Sequence, residues 1–110
     1  MEIRTKKEDK ALVVTVDGRM DAVTASDFEN ALAGFIDQGD RIFVIDFTDL
    51  DYISSAGLRS ILAAAKKLKG MEGRLSLACL KEAVKEVFDI SGFSAIIPIY
   101  DSVKTALEAI

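Results

Sequence analysis

The chain has 110 residues, half of them apolar, which is enough for one domain to fill a core without metals or disulfides. Its formal charge of −4 and pI of about 4.8 argue against a direct nucleic-acid surface and against adsorption to an anionic membrane. The charged segment Met1 to Lys10 lacks the apolar core of a signal peptide, and no uncharged apolar run is long enough to span a bilayer. A lone cysteine permits no internal disulfide, so we expect one cytoplasmic domain over residues 1–110.

The first predicted element is a β-hairpin. Ile3 to Lys7 forms a short strand, a polar turn follows, and Ala11 to Val16 is rich in β-branched residues. Alternate apolar residues of the second strand share one face, as expected for a strand with one side on the core. Gly18 is predicted to end this strand.

A helix and a buried strand are predicted next. One helical face is marked by apolar residues with spacing i, i+4, i+7 and i+8, namely Phe28, Leu32, Phe35 and Ile36. Thr24 is the predicted N-cap of this helix and Gly39 its C-terminal stop. The continuous apolar run Ile42–Ile45 is typical of a strand covered on both faces, in the middle of a sheet flanked by helices.

The second half of the chain continues this alternation. After a connection from Asp46 to Ser54, apolar periodicity predicts a helix over Leu58–Gly70. A strand follows at Leu75–Leu77, and a third helix is predicted from the apolar stripe over Leu80–Phe88, with a stop at Ser91-Gly92.

The chain is predicted to close with a strand and a helix. Ile96–Ile99 contains the only proline, Pro98, which cannot donate to a strand ladder and so belongs at an edge or end of the sheet. A closing helix over Val103–Ile110 is predicted to be capped by Asp101. The resulting fold class is α/β, a mixed but mostly parallel sheet of about five strands with about four helices and an opening β-hairpin. In such sheets, function is expected at the carboxyl ends of the strands.

Several kinds of chemistry are excluded by residue type. Without histidine, the chain cannot assemble a Ser-His-Asp or Cys-His catalytic set. One cysteine and no histidine exclude the usual zinc sites, and no glycine-rich phosphate loop is present, so no cofactor and no metal are expected. Cys79 follows a strand and is interpreted as a small core or loop residue. The sequence therefore predicts a binding protein and not an enzyme.

Two charged groups allow either a structural or a functional interpretation. A cluster of carboxylates in one connection could bind Mg²⁺ or transfer protons, or it could simply form the loop, and consists of Asp46, Asp49 and Asp51. A cluster of cations could be a local basic patch or the solvated end of a helix, and consists of Lys66, Lys67, Lys69 and Arg74. The structural interpretation is favoured for both.

The most distinctive segment, Asp49 to Leu58, lies where a buried strand passes to a helix. Ser54 or Ser55 falls at the N-cap position, where a hydroxyl accepts a hydrogen bond from a first-turn amide. Gly57 at a helix start indicates close approach, by packed backbone or by a partner. Because a helix N-terminus favours anionic groups, a phosphoserine here would be tolerated by its own domain, and its effect would fall on a docking partner.

The sequence resembles a known family, the anti-sigma-factor antagonists, which consist of a single STAS domain. The resemblance covers almost the whole chain and includes Val13–Asp21, Phe43–Leu58 and Phe88–Phe93. The family pattern in the middle segment is D-S-S-G-L, in which the first serine is phosphorylated. Aligned on Gly57-Leu58, that serine corresponds to Ser55.

Two positions of this chain depart from the family pattern. Ser54 stands where aspartate is common and Ala56 where a second serine is common, so Ser54 is kept as a lesser candidate for phosphorylation. The resemblance implies that Asp21, after the second strand, and Asp46, at the end of the central strand, flank the site. With Ser54–Gly57 they form the predicted partner-binding face, although turn and helix-entry roles would explain both aspartates equally well.

The resemblance also implies a mechanism. The unphosphorylated domain binds an anti-sigma factor that is itself a serine kinase of the histidine-kinase-like ATPase fold, and so releases a sigma factor for transcription. The kinase then phosphorylates the serine and ends the interaction, and a PPM-type serine phosphatase restores it. The alternatives are a STAS scaffold or transporter-associated module without a phosphorylation switch, and, least favoured, a small-molecule sensor or a carboxylate enzyme.

Overall fold

The structure, a computed structural model, describes all 110 residues. Six strands and four α-helices follow in chain order, with a short 3₁₀ helix at Phe93–Ala95 between α3 and β6. The strands are β1 Glu2–Glu8, β2 Ala11–Met20, β3 Ile42–Asp46, β4 Leu50–Ile53, β5 Arg74–Ala78 and β6 Ile99–Tyr100. The helices are α1 Thr24–Asp37, α2 Ser55–Gly70, α3 Glu82–Ser91 and α4 Val103–Glu108. None of these helices has both the length and the hydropathy needed to cross a membrane.

The sheet has the strand order β1-β2-β3-β5-β6, and β4 pairs separately with β2. Only the β1–β2 hairpin is antiparallel, as the sequence predicted, and every other pairing is parallel. The first half of β2 pairs with β3 and its last residues pair with β4. Gly18, at φ +87°, lies at the register shift between these two pairings. The prediction that Gly18 ends the strand is therefore wrong. Gly18 instead allows one long strand to pair with β3 along its first half and with β4 at its end.

Helices cover both faces of the sheet. The larger core lies under α1, α2 and α3, and its largest fully buried side chains include Phe28, Phe43 and Phe88. On the other face α4 covers a smaller cluster around Val44 and Ala106. Because the central strand β3 is buried on both sides, its continuous apolar run is explained. The α/β class, the four helices and the mostly parallel sheet are confirmed.

The sheet has six strands, one more than the sequence analysis predicted. The extra strand β4 lies inside the predicted connection Asp46–Ser54. Its two outer residues, Leu50 and Ile53, are buried and its two middle residues are exposed, a pattern that does not alternate as an ordinary strand does. The strand forms because its partner β2 continues beyond Gly18, which local sequence does not reveal.

Several predicted boundaries also need correction. The closing helix is capped by Ser102, whose Oγ accepts from Thr105 N–H at 3.0 Å, and not by Asp101. The third helix begins at Glu82, so Leu80 packs on the core from the preceding loop. The last strand starts only at Ile99; the 3₁₀ helix ends at Ala95, and Ile96, its C-cap, still has a helical backbone and not an extended one.

Candidate functional site

The junction of β4 and α2 carries both candidate serines. Ser54 caps α2, since its backbone is extended and its Oγ accepts a hydrogen bond from Gly57 N–H at 3.2 Å. The Ser54 N–H donates to the Met20 carbonyl at the end of β2, at 2.8 Å. Ser55 is the first helical residue, is exposed, and its hydroxyl takes part in no side-chain hydrogen bond. One serine therefore holds the helix end, and the other presents a free hydroxyl to solvent.

The residues after the serines explain why the helix starts at this place. A Cβ at Gly57 would lie 2.8 Å from Cγ1 of Ile53 and 3.0 Å from both Cγ and the carbonyl oxygen of Met20. Glycine is thus needed for close packing of α2 on β2 and β4. Ala56 is half-buried against the core. Packing within the domain is thus a sufficient reason for glycine at position 57, and its predicted contact with a partner stays a prediction.

Asp21 follows Met20 and so lies beside the start of α2. Its Oδ1 accepts hydrogen bonds from the Thr24 and Val23 N–H groups, both at 3.0 Å. In return Thr24 Oγ1 accepts from the Asp21 N–H at 2.9 Å. These backbone donors, Thr24 first, hold the pKa of Asp21 below its usual value. The predicted N-cap Thr24 is therefore wrong: Thr24 is the first helical residue, and Val23 at the cap position makes no side-chain bond. The Asp21 carboxylate instead accepts the amides at this helix start.

Asp46 is placed differently from Asp21. It ends β3, where its Oδ1 accepts from both the N–H (3.0 Å) and the hydroxyl (2.6 Å) of Thr48. Its register partner on β2 is Thr15. Thr15 lies five residues before Met20, the residue that bonds Ser54, so the two positions on β2 are about 16 Å apart at the usual strand rise. No hydrogen bond or strand pairing joins Asp46 to the serines.

The neighbouring aspartates do not gather into a metal site. Asp51, on β4, forms an ion pair with Lys81 at the start of α3, and the coulombic effects of Asp51 and Asp49 add to that hydrogen bond in raising the pKa of Lys81. Nowhere do three or more potential ligands cluster as a cation would require. The loop-forming interpretation of the three aspartates therefore fits their surroundings.

Three further exposed or stacked residues lie within a few positions of Asp21 or Ser54 in the chain and were not singled out from the sequence. Arg19 and Tyr52 face each other across β2 and β4, and the guanidinium carbon lies 4.2 Å from the ring centroid. Val23, at the start of α1, is 78% exposed although it is fully apolar. The contact between Arg19 and Tyr52 depends on the β2–β4 pairing, and the sequence carried no signal for that pairing. Exposed apolar and aromatic area of this kind is typical of a docking surface.

Residues 2–106 match the family model of the STAS domain, and the chain belongs to this family. It is 42% identical over 109 residues to a Bordetella bronchiseptica protein named "Putative anti-sigma factor antagonist BtrV", covering 99% of this chain and 94% of that one. The anti-sigma-B factor antagonist of Listeria monocytogenes is 31% identical, over 90% of this chain and 86% of its own. A solved anti-sigma factor antagonist from Mycobacterium paratuberculosis superposes with a TM-score of 0.90 at 27% identity, covering 99% and 92% of the two chains.

These likenesses confirm the predicted family and fold. They also agree with the prediction of a regulator rather than an enzyme, because these relatives are named for antagonism of another protein and not for a reaction.

Proposed function

We propose that this chain is a phosphorylation-controlled antagonist of an anti-sigma factor. In its unphosphorylated form it binds an anti-sigma factor that is a serine kinase of the histidine-kinase-like ATPase fold. Phosphorylation of Ser55 ends that interaction, and a PPM-type serine phosphatase restores it. Because the kinase draws on ATP, the exchange takes place in the cytoplasm. The observation that carries this proposal is the exposed, unpartnered Ser55 hydroxyl at the first position of α2.

The geometry favours Ser55 over Ser54 as the modified residue. The Ser54 oxygen is occupied by the Gly57 amide, and Ser54 is only half-exposed. A kinase acting on Ser54 would have to break the cap of α2 before transfer. The Ser55 hydroxyl requires no such rearrangement, since nothing in the domain holds it.

A phosphate on Ser55 would also be compatible with the fold. The first amides of a helix have no intrahelical acceptor, and the helix dipole is positive at this end. The modified side chain would carry about −1.5 to −2 charges, which these groups attract. Secondary structure is therefore expected to remain, with the new charge displayed on the surface.

The loss of binding would arise in the interface itself. Val23 and the Arg19–Tyr52 pair provide exposed apolar and aromatic area within a few positions of Asp21 and Ser54 in the chain. A partner that covers this surface would have to desolvate the phosphate next to the permanent charge of Asp21. One covalent change on a rigid helix end is thus enough to end docking, without any rearrangement of the domain.

Phosphate mapping tests the proposal directly. The purified protein, its Ser55→Ala variant and its Ser54→Ala variant would be incubated with ATP and the ATPase-fold kinase encoded nearest to it, followed by mass spectrometry. We expect one phosphate on wild type and on Ser54→Ala, and none on Ser55→Ala. Phosphate on Ser54 would keep the switch and correct its site. If folded protein stays unmodified with several such kinases, the chain is a scaffold or transporter-associated STAS module.

A further inference from the structure

A second surface lies at the end of α2 opposite Ser55. An open groove of about 340 Å³ runs between the end of α2, the start of β5 and the chain before β6. Its apolar lining includes Leu75 and Ile97, which are buried, and Ile96, which is 60% exposed. Lys69 and Arg74 line the same groove and are exposed to solvent. We call these five residues the basic groove.

The cations of this region have no counter-ions within the domain. Between positions 66 and 74 the chain has four cationic side chains and only one acidic one, Glu72. None of them forms an ion pair, whereas Arg4, Lys6, Lys7 and Lys81 each pair with a carboxylate elsewhere on the surface. Unpaired positive charge is thus concentrated here, on a chain whose net charge is −4.

Helix electrostatics explain only part of this arrangement. Lysines in the last turn of α2 are stabilised by the negative end of the helix dipole. That effect accounts for Lys67 and Lys69, but not for Arg74, which begins β5. Nor does it account for an isoleucine left 60% exposed between the cations and the buried lining of the groove.

We propose that the basic groove docks an acidic protein segment that carries a bulky apolar side chain. The unpaired cations select carboxylates, and the apolar lining accepts the anchor between them. A lipid surface fits less well, since the apolar lining is concave and the whole chain is acidic. Nucleic acid fits less well because the groove contains no aromatic side chain on which a base could stack.

This surface operates independently of the serine switch and does not rest on it. Lys69 of the groove lies fourteen positions after Ser55 along α2, which is about 21 Å at the helical rise of 1.5 Å per residue. The screening length at physiological salt is only about 8 Å. The groove therefore holds its partner equally well in the phosphorylated and unphosphorylated forms, so one partner stays attached while the other exchanges.

A peptide titration followed by NMR tests this assignment. The probe is a short peptide with a central Leu-Phe pair flanked by glutamates, added to the isotope-labelled full chain, and the control peptide has lysines in place of the glutamates. We expect shifts of backbone amides to concentrate at Lys69, Gly73, Arg74, Ile96 and Ile97, and only with the acidic peptide. Shifts centred on Ser55, shifts with both peptides, or no shifts at millimolar peptide would each overturn the proposal.

Variants then distinguish docking of the acidic peptide in the basic groove from non-specific electrostatic attraction to the whole chain. Lys69→Glu combined with Arg74→Glu should weaken binding by about tenfold or more, and Ile96→Ser by a smaller factor. The control pair Lys85→Glu and Lys104→Glu makes the same change in net charge elsewhere, and Ser55→Asp tests independence from the switch, so both should bind as wild type does. Equal losses in the control pair, or tighter binding to phosphatidylserine vesicles than to the peptide, would contradict a protein-docking groove.

Discussion

Helices α1 and α2 begin side by side at the end of β2, and they differ in which side chain accepts the free backbone N–H groups of the first turn. At the start of α1 the free amides are filled by the carboxylate of Asp21. At the start of α2 the cap is the neutral hydroxyl of Ser54, and the next residue, Ser55, leaves its hydroxyl unused. Because Ser54 donates its N–H to Met20 and Asp21 follows Met20, the two helix starts are neighbours.

This difference determines which helix start can accept an added negative charge such as a phosphate. A helix start that already holds a carboxylate gains little from a further anion and would repel it. A helix start that is neutral can accept an anion without losing its cap, because a different residue provides that cap. In the proposed switch, α1 carries a permanent charge and α2 carries one only when Ser55 is phosphorylated, so the difference in charge between the two helix starts depends on phosphorylation.

The largest expected effect is a loss of partner binding when a negative charge is placed at the start of α2. Ser55→Asp should weaken binding to the anti-sigma factor by roughly 100-fold or more, because a desolvated like charge in an interface costs several kcal/mol. The melting temperature should change little, since the helix start accommodates charge. Titration calorimetry and thermal melts measure both quantities. Ser94→Asp, an exposed serine in the 3₁₀ helix, is the matched control and should bind normally. Unfolding of Ser55→Asp would refute the idea that α2 tolerates an anion.

The next prediction concerns the packing that fixes α2 in place. Gly57→Ala puts a methyl group against Met20 and Ile53, and we expect a loss of about 1–3 kcal/mol in the free energy of unfolding. Gly34→Ala is the matched control, because Gly34 is also helical but its Cβ would meet nothing within 4 Å. That variant should gain about 0.5–1 kcal/mol from helix propensity alone. Chemical denaturation of the two variants should therefore give shifts of opposite sign, and equal shifts would remove the close-packing argument.

A smaller effect distinguishes the two serines. Ser54→Ala removes the oxygen that accepts the Gly57 amide, and should cost about 1 kcal/mol of stability. For a domain of this size that corresponds to a fall of roughly 4–8 °C in melting temperature. Ser55→Ala removes a hydroxyl without a partner, so its melting temperature should stay close to that of wild type. The reverse order would mean that Ser55 is the true cap and would weaken its assignment as the phosphorylated residue.

The sequence predicted the larger features for identifiable physical reasons. Helical periodicity and buried β-branched runs are local signals, so the class of fold and the order of helices followed from them. The candidate serine for phosphorylation was predicted from its position at the start of a helix and from the family resemblance. Both serines could cap α2 on local grounds, and only the extended backbone and the Gly57 contact of the structure assign that role to Ser54.

What local sequence could not predict depends on contacts between distant segments. Strand β4 exists because β2 runs past Gly18, and the Arg19–Tyr52 stack exists only because those strands pair. The cap of α1 was assigned to Thr24 because the hydroxyl sits at the expected position. A carboxylate three residues earlier, at Asp21, turned out to hold the amides instead.

The smallest expected effect is a pH dependence of stability that arises from the Asp21 carboxylate at the start of α1. The Thr24 and Val23 amides lower the folded-state pKa of Asp21, whereas the unfolded value is about 3.9. The carboxylate therefore adds stability above about pH 4, and this contribution is lost as the pH falls through the lower folded-state pKa. Asp21→Asn keeps an oxygen for the amides but removes the charge. It should melt below wild type at neutral pH, and the gap should close in acid.

Thermal melts at a series of pH values measure that gap. Glu86→Gln, an exposed substitution on α3 that makes the same change in charge, serves as the control. Its difference in melting temperature from wild type should not show the pH dependence expected for Asp21→Asn.

The comparison becomes sharper with phosphorylated Ser55, since the α2 helix start then carries an anion as well. Its proximity should raise the pKa of Asp21, and the gap between wild type and Asp21→Asn should then close at a higher pH than in the unmodified protein. If phosphorylation leaves that pH unchanged, the two helix starts are electrostatically independent, and the loss of partner binding must come from the phosphate alone.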